Sequence, residues 1–218
     1  MYPHRIRLLG PWDCEPLGSS APPVRRFVPP ARLRDVGLVD FIGAVCLVRR
    51  FGYPGRIDSY EHVWLTFAEI AGTADIALND RPLAQAATGS LEVEITERLA
   101  PRNRLEVVLH ADSDAAGLPG EIALEVRRDA FLRGLGAHAD ADGSVHVTGR
   151  VHGCSSRPLE VYLLADRQHV GYALVEAGAA GQPFELAFRL DAVPRTVRVE
   201  LVCVAECWHA AEVQIHVP

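Results

Sequence analysis

The feature that most constrains this chain is alternation of apolar and polar residues with a period of two. Leu91, Val93 and Ile95 alternate with Glu92, Glu94 and Thr96. Leu105, Val107 and Leu109 alternate with Glu106, Val108 and His110, and Ile122, Leu124 and Val126 with Glu121, Ala123 and Glu125. Val145, Val147 and Val151 face away from Ser144, His146 and Arg150. Leu159, Val161 and Leu163 follow, then Val197, Val199, Leu201 and Cys203, and last Val213, Ile215 and Val217. Successive side chains of a strand point to opposite faces, so each run reads as a half-buried strand. Turn signals separate the runs: Asn79-Asp80, Pro101-Arg102-Asn103, Asp142-Gly143, and Gly178 with Gly181. Many short strands punctuated in this way predict an all-β chain of sandwiches. Helix signals are nearly absent. Thr96-Glu97-Arg98-Leu99 predicts one short turn with Thr96 as its cap. The Pro-rich stretch Pro22 to Pro30 predicts an irregular or extended arm, because proline supplies no ladder donor.

The 218 residues allow one large domain or two small ones. The alternation ends at Val126, Arg127-Arg128-Asp129 is charged, and Phe131-Leu132-Arg133-Gly134-Leu135-Gly136 reads as a linker. We therefore expect domains at 1–131 and 132–218. The second would hold six or seven strands in about 85 residues, the size of an immunoglobulin-like sandwich.

Composition narrows the function classes. Hydrophobic residues make up 49% and charged residues 23%, which argues against disorder over most of the chain. No run of about 18 uncharged apolar residues predicts a spanning helix. Acidic residues number 28 against 22 basic, all of them Arg, for a formal charge of −6. Such a chain repels phosphate backbones, so neither nucleic acid nor a membrane is an expected partner. The pairs Arg25-Arg26, Arg49-Arg50 and Arg127-Arg128 are too dispersed to form a basic tail. Five cysteines in no framework, and no apolar stretch at the N-terminus, lead us to expect free thiols and a cytoplasmic location. No cofactor is expected. A nucleophile elbow G-x-S-x-G is absent, and a chain without Lys cannot carry a P-loop.

Residues 5 to 128 carry, in order, a set of motifs. Gly10-Pro11-Trp12 resembles an opening G-x-W strand, and Asp40-Phe41-Ile42-Gly43 through Arg49-Arg50-Phe51 resembles D-Y-x-G-x-x-W-Y-R-R-x-F. His62 to Phe67 resembles R-V-x-L-x-F, and Ala74-Asp75-Ile76-Ala77-Leu78-Asn79-Asp80 resembles A-x-V-W-L-N-G. Leu91 to Val108 resembles F-x-x-D-V-T-x-x-L-x-x-G-x-N-x-L-x-V, and Gly117-Leu118-Pro119-Gly120 resembles the opening of G-I-x-G-x-V-x-L. The ordered set resembles the N-terminal sugar-binding domain of glycoside hydrolase family 2, the β-galactosidase and β-glucuronidase family. The remainder is similar in general pattern to the immunoglobulin-like domain that follows it there. The resemblance implies a galactose-binding-like jelly roll followed by an immunoglobulin-like β-sandwich. In that family the two catalytic Glu lie on a (β/α)₈ barrel, and a barrel needs about 250 further residues. The chain is therefore expected to be a non-catalytic relative. Its expected partner is a carbohydrate or a glycosidase-type protein; the alternative is the non-catalytic subunit of a split glycosidase. Cys46 and Ala77 stand where the family has Trp or another large residue, and Asp80 replaces the hairpin Gly. The resemblance therefore leads us to expect remodelled docking surfaces.

The candidate site residues are Trp12, Asp112, Asp114 and Trp208, all for carbohydrate. Aromatic faces suit the apolar faces of pyranoses. Trp12 follows Pro11 near a strand end, Trp208 lies in an expected loop beside Cys207 and His209, and Trp64 is expected in the core. In the family, the loop holding Asp112 and Asp114 approaches the sugar; a simple turn role competes with that. Glycosidase chemistry needs two carboxyls about 5–9.5 Å apart, and Glu92 with Glu94 reads as a solvated strand face instead. Cys203, Cys207 and His209, with His152 and Cys154, match no strong zinc spacing, so Cys203 is read as a buried thiol.

Overall fold

The computed structural model describes residues 3–18, 26–190 and 194–217. Part of the Pro22 to Pro30 stretch, and Arg25, lie outside them. Among the described residues the chain is almost entirely strand: β1 His4–Arg7, β2 Asp13–Leu17, β3 Ala31–Arg32, β4 Gly43–Gly52, β5 Glu61–Ile70, β6 Thr73–Leu78, β7 Arg81–Ala86, β8 Gly89–Glu94 and β9 Arg102–Ala111. There follow β10 Gly117–Leu118, β11 Ile122–Arg128, β12 Ala130–Ala139, β13 Ser144–Gly153, β14 Leu159–Ala165, β15 Gln168–Val175, β16 Gln182–Arg189, β17 Thr196–Cys203 and β18 Glu206–His216. Two single-turn 3₁₀ segments, Leu33–Val36 and Thr96–Arg98, interrupt them. The turn at Thr96 is present, but its N-cap is Ile95. The Thr96 hydroxyl instead accepts from the Val63 amide at 2.9 Å and donates to Glu94 Oε1 at 3.1 Å.

Two compact units emerge. The first comprises Arg5–Asp58 and His62–Glu125. It is a β-sandwich of a five-stranded sheet, β2-β4-β9-β6-β7, and a four-stranded sheet, β1-β11-β5-β8. Every pairing along the five-stranded sheet is antiparallel. Its inward residues include Val45 and Leu47 on β4, Ile76 and Leu78 on β6, and Leu105, Val107 and Leu109 on β9, all almost fully buried. Val63, Leu65 and Phe67 on β5 are buried as well. Strand β11, which sits between β1 and β5, departs from the half-buried pattern: Ile122 to Arg127 are all buried.

The second unit runs from Val126 onward, with Ser59–Glu61 and the described part of Met1–His4. Seven strands form two layers, β12-β13-β16 and β15-β14-β17-β18, in an immunoglobulin-like sandwich. The layers are joined through β18. Its first part pairs antiparallel with β17, and its end pairs parallel with β12, setting Ala137 beside Ile215. Val145, Val147, Val151, Val161, Leu163, Val197, Val199 and Leu201 meet in its core. The stretch 131–136, expected to be a linker, lies inside β12. Gly134 and Leu135 form a bulge opposite Gly149, where the register with β13 slips between Arg133 and Gly136.

Two asparagines in the recognised motifs bond to each other. Asn79 and Asp80 have φ of 53° and 61°, the left-handed pair that a two-residue hairpin between β6 and β7 requires. Asn79 Nδ2 donates to Arg98 O and to Asn103 Oδ1, each at 3.0 Å, and its Oδ1 accepts from the Arg104 amide at 2.9 Å. Buried Asn103 accepts from the Ala100 amide at 2.9 Å and donates to Ala100 O at 2.8 Å. The motif glycine Gly120 has a different role: a Cβ there would overlap the Glu69 backbone, so only Gly lets the two segments touch.

Candidate functional site

One cleft of the second unit lies beside Trp208. β17 and β18 are joined by Val204 and Ala205, both left-handed at φ 49° and 64°. For a β-branched residue this is strained backbone. Just beyond it the register slips. Leu201 faces His209 while Val202 faces Cys207, so Trp208 is the extra residue of a bulge. Bulges re-aim side chains, and this one turns His209 inward and leaves Trp208 half-buried at the rim. Trp208 is therefore in a strand and not in a loop. The Arg128 guanidinium lies 5.8 Å from its ring centroid and 4.9 Å from that of Tyr60, and Arg128 Nη1 meets Glu206 Oε2 at 2.7 Å. Stacked cations of this kind fix an aromatic ring.

Opposite Trp208 is the connection from β13 to β14. Gly153, at φ +96°, takes a conformation that a side chain would jam against Asp129 O, and the Cys154 amide donates to that same oxygen at 3.0 Å. Ser155 Oγ accepts from the Arg157 amide at 3.2 Å and donates to Arg157 O at 2.9 Å, which closes a tight hydroxyl-stapled turn. Asp129, Cys154, Ser155, Ser156, Arg157 and Trp208 then enclose about 520 Å³. A second cleft of about 600 Å³, reaching to Leu174 and Glu176, opens on the other side of Ser155 to Arg157. One aromatic ring, a guanidinium, a carboxylate and two hydroxyls around such a volume can hold a small polar ligand with one apolar face.

The other predicted site residues sit in the first unit. Trp12 is fully buried: its Nε1 donates to Leu8 O at 3.1 Å, and its backbone exchanges two hydrogen bonds with Phe27, itself fully buried. It offers no ring face to a sugar, which corrects the sequence expectation. Asp112 is exposed and accepts from Ser113 Oγ at 3.3 Å. Asp114 accepts from the Asp40 amide at 3.3 Å, and its own carbonyl accepts from the Arg34 amide at 3.1 Å, so it ties down the segment after β3. Trp64 is half-buried in register with Glu94. Cys203 points into the core while the Cys207 thiol donates to His209 O, and among the described residues no three His, Cys, Asp or Glu groups are placed to share a metal. Sequence reasoning missed Asp129, Ser155, Ser156 and Arg157. Their types are ordinary for a turn; the backbone course at Gly153 brings Ser155, Ser156 and Arg157 to Trp208, and the junction of β11 and β12 brings Asp129.

The first unit has one further feature. Cys46 and Ala77 flank β9 on the outer face of the five-stranded sheet, in register with Val108 and Glu106 respectively. Beside them lies a shallow depression of about 480 Å³ lined by Asp75, Ala77, Pro82, Gln85, Glu106 and Val108. Burial and the Glu106 carboxylate push the Cys46 thiol up to about 11, and burial does the same to Cys14. His110 and Gln85 both bond Asp75 at 2.8 Å and hold its carboxyl below the usual range.

No protein-family model matches the chain, and no curated protein matches it. Solved structures do match in fold. An FMN-binding β-glucuronidase from Faecalibacterium prausnitzii L2-6 aligns over 97% of this chain with a TM-score of 0.76 at 15% identity. A Bifidobacterium dentium β-glucuronidase complexed with coumarin-3-O-glucuronide aligns over 99% with a TM-score of 0.74 at 18% identity. A glycosyl hydrolase family 2 member from Bacteroides cellulosilyticus aligns over 97% with a TM-score of 0.72 at 15% identity. The chain covers 39%, 49% and 36% of those three chains, less than half of each. In fold, this chain corresponds to a part of glycoside hydrolase family 2 enzymes, as its ordered motifs anticipate.

Proposed function

We propose that this chain is a non-catalytic carbohydrate-binding module, a jelly roll followed by an immunoglobulin-like domain, acting in the cytoplasm. The observation that carries the reading is the Trp208 cleft, where a fixed indole meets Arg157, Asp129 and two serine hydroxyls. That set suits a sugar ring stacked on the indole with its hydroxyls turned to Ser156, Asp129 and Arg157. Among the described lining residues Asp129 is the one carboxyl group, whereas glycoside cleavage needs two. The five cysteines are unpaired, which supports a reducing compartment. The fold neighbours are named as glucuronidases, so glucuronides join galactosides as the first ligands to try.

A glycan array tests the reading. Binding of one galactoside or glucuronide class that Trp208→Ala abolishes supports it; no binding at any density on the array contradicts it. A second reading is the non-catalytic subunit of a split glycosidase whose barrel is on another chain. Hydrolysis of a chromogenic glycoside that appears only on mixing with a barrel-only partner would establish it.

A further inference from the structure

Among the described residues, strand β15 is unlike the other long sheet edges. The edges longer than two residues are β1, β2, β7, β8, β15 and β16. β1 carries Arg5 and Arg7; β2 carries Asp13, Glu15 and Pro16; β7 carries Arg81 and Pro82. β8 carries Glu92 and Glu94, and β16 carries Pro183, Glu185 and Arg189. These are the devices by which an edge repels a neighbouring strand. β15, Gln-His-Val-Gly-Tyr-Ala-Leu-Val, has no Asp, Glu, Lys, Arg or Pro along eight residues. One side pairs with β14; β16 also comes close to β15, but among the described residues no backbone hydrogen bond joins those two strands. The pairing slips between Leu163 and Leu164, which makes Val170 a bulge and leaves Gly171–Val175 as the regular part of the edge.

Its outer side chains are apolar and held in place. Tyr172 is 49% exposed and Leu174 66% exposed. The Tyr172 ring lies 5.1 Å from that of Tyr162, and both hydroxyls donate to Glu160, at 3.4 and 2.7 Å. His169 meets the edge of Tyr162 at 5.3 Å.

We propose that β15 is a homodimer interface, pairing antiparallel with β15 of a second copy of this chain. A two-fold axis at Ala173 sets Tyr172 of each copy opposite Leu174 of the other, on one face of the joined sheet. Aromatic–aliphatic cross-strand pairs of this kind are favourable. The same register places the two copies of Glu176, the first charge beyond the strand, opposite Val170. They are then about 20 Å apart at roughly 3.3 Å per residue, beyond the screening length. A parallel copy would stack those carboxylates side by side. The contact is short, so it belongs to the weak, transient class of interfaces.

Sedimentation equilibrium of the full chain from about 5 to 500 µM tests this. The mass is expected to rise from 23.8 kDa toward twice that value. Leu174→Lys, a change at an exposed side chain, is expected to weaken association at least tenfold, and Tyr172→Lys likewise. Ser90→Lys on the already charged edge β8 is expected to leave it unchanged. A chain that stays monomeric at 500 µM overturns the proposal, and so does a dimer that both lysine variants form as tightly as the parent. Far-UV circular dichroism confirms that each variant is folded. The proposal does not depend on sugar binding.

Discussion

Asn103→Ala is the most informative single change in the first unit. Its side chain makes three hydrogen bonds in a buried setting: two accepted, from the Ala100 amide and Asn79 Nδ2, and one donated to Ala100 O. At about 1 kcal/mol net for each, and with the Ala100 groups left without that partner, the expected loss is about 3 kcal/mol. Asn79→Ala also removes three bonds, in a half-exposed place where water replaces them in part, so about 1.5 kcal/mol goes with the bonds. A further 1–1.5 kcal/mol, roughly, comes from putting Ala at φ 53°, a conformation Asn tolerates and Ala does not. One bond is common to both residues, so the double variant should lose about 1 kcal/mol less than the sum of the singles. Urea unfolding followed by tryptophan fluorescence measures all three. An Asn103→Ala loss below about 1 kcal/mol, or strict additivity in the cycle, would refute the claim that these asparagines form one structural lock.

Other expectations follow from single positions. Replacing Val204-Ala205 by Asn-Gly should stabilise the second unit by about 1 kcal/mol, because the turn already has the backbone that Asn-Gly prefers; no rise in urea midpoint would contradict the strained-turn assignment. Gly120→Ala should leave the chain largely insoluble or lower its stability by more than about 3 kcal/mol, since the new methyl meets main chain and not a movable side chain; soluble expression at parental stability would show the contact to be loose. In thiol titration with an aromatic disulfide at pH 8, exposed Cys154 should react first and the fast phase should vanish in Cys154→Ser. Cys46 and Cys14, pushed up to about 11, should still be gaining rate above pH 9; a plateau below pH 8 would contradict that.

The strands were legible because burial on one face imposes a period of two, and Leu105-Val107-Leu109 or Val197-Val199-Leu201 show it without interruption. β11 was half legible: its period is there, but Ala123, Glu125 and Arg127 are buried too, because both faces of the strand are covered, which no local pattern encodes. The bulge in β12 hid a strand behind two glycines. Trp12 was misplaced because the residue that buries it with a paired backbone, Phe27, is fifteen positions away and follows a Pro-rich segment. The Trp208 bulge breaks alternation by one residue, so the indole and His209 exchange the roles a regular strand would assign. Arg157 reaches the cleft through a loop whose course depends on the left-handed Gly153, and Asp129 reaches it from the junction of β11 and β12.

Isothermal titration of the purified chain with galactosides and glucuronides at millimolar concentration is the most direct test of the carbohydrate account. Saturable heat with the parent, missing in Trp208→Ala and reduced in Arg157→Ala, is the predicted result. Equal heats in all three proteins, or none with any sugar, would contradict it.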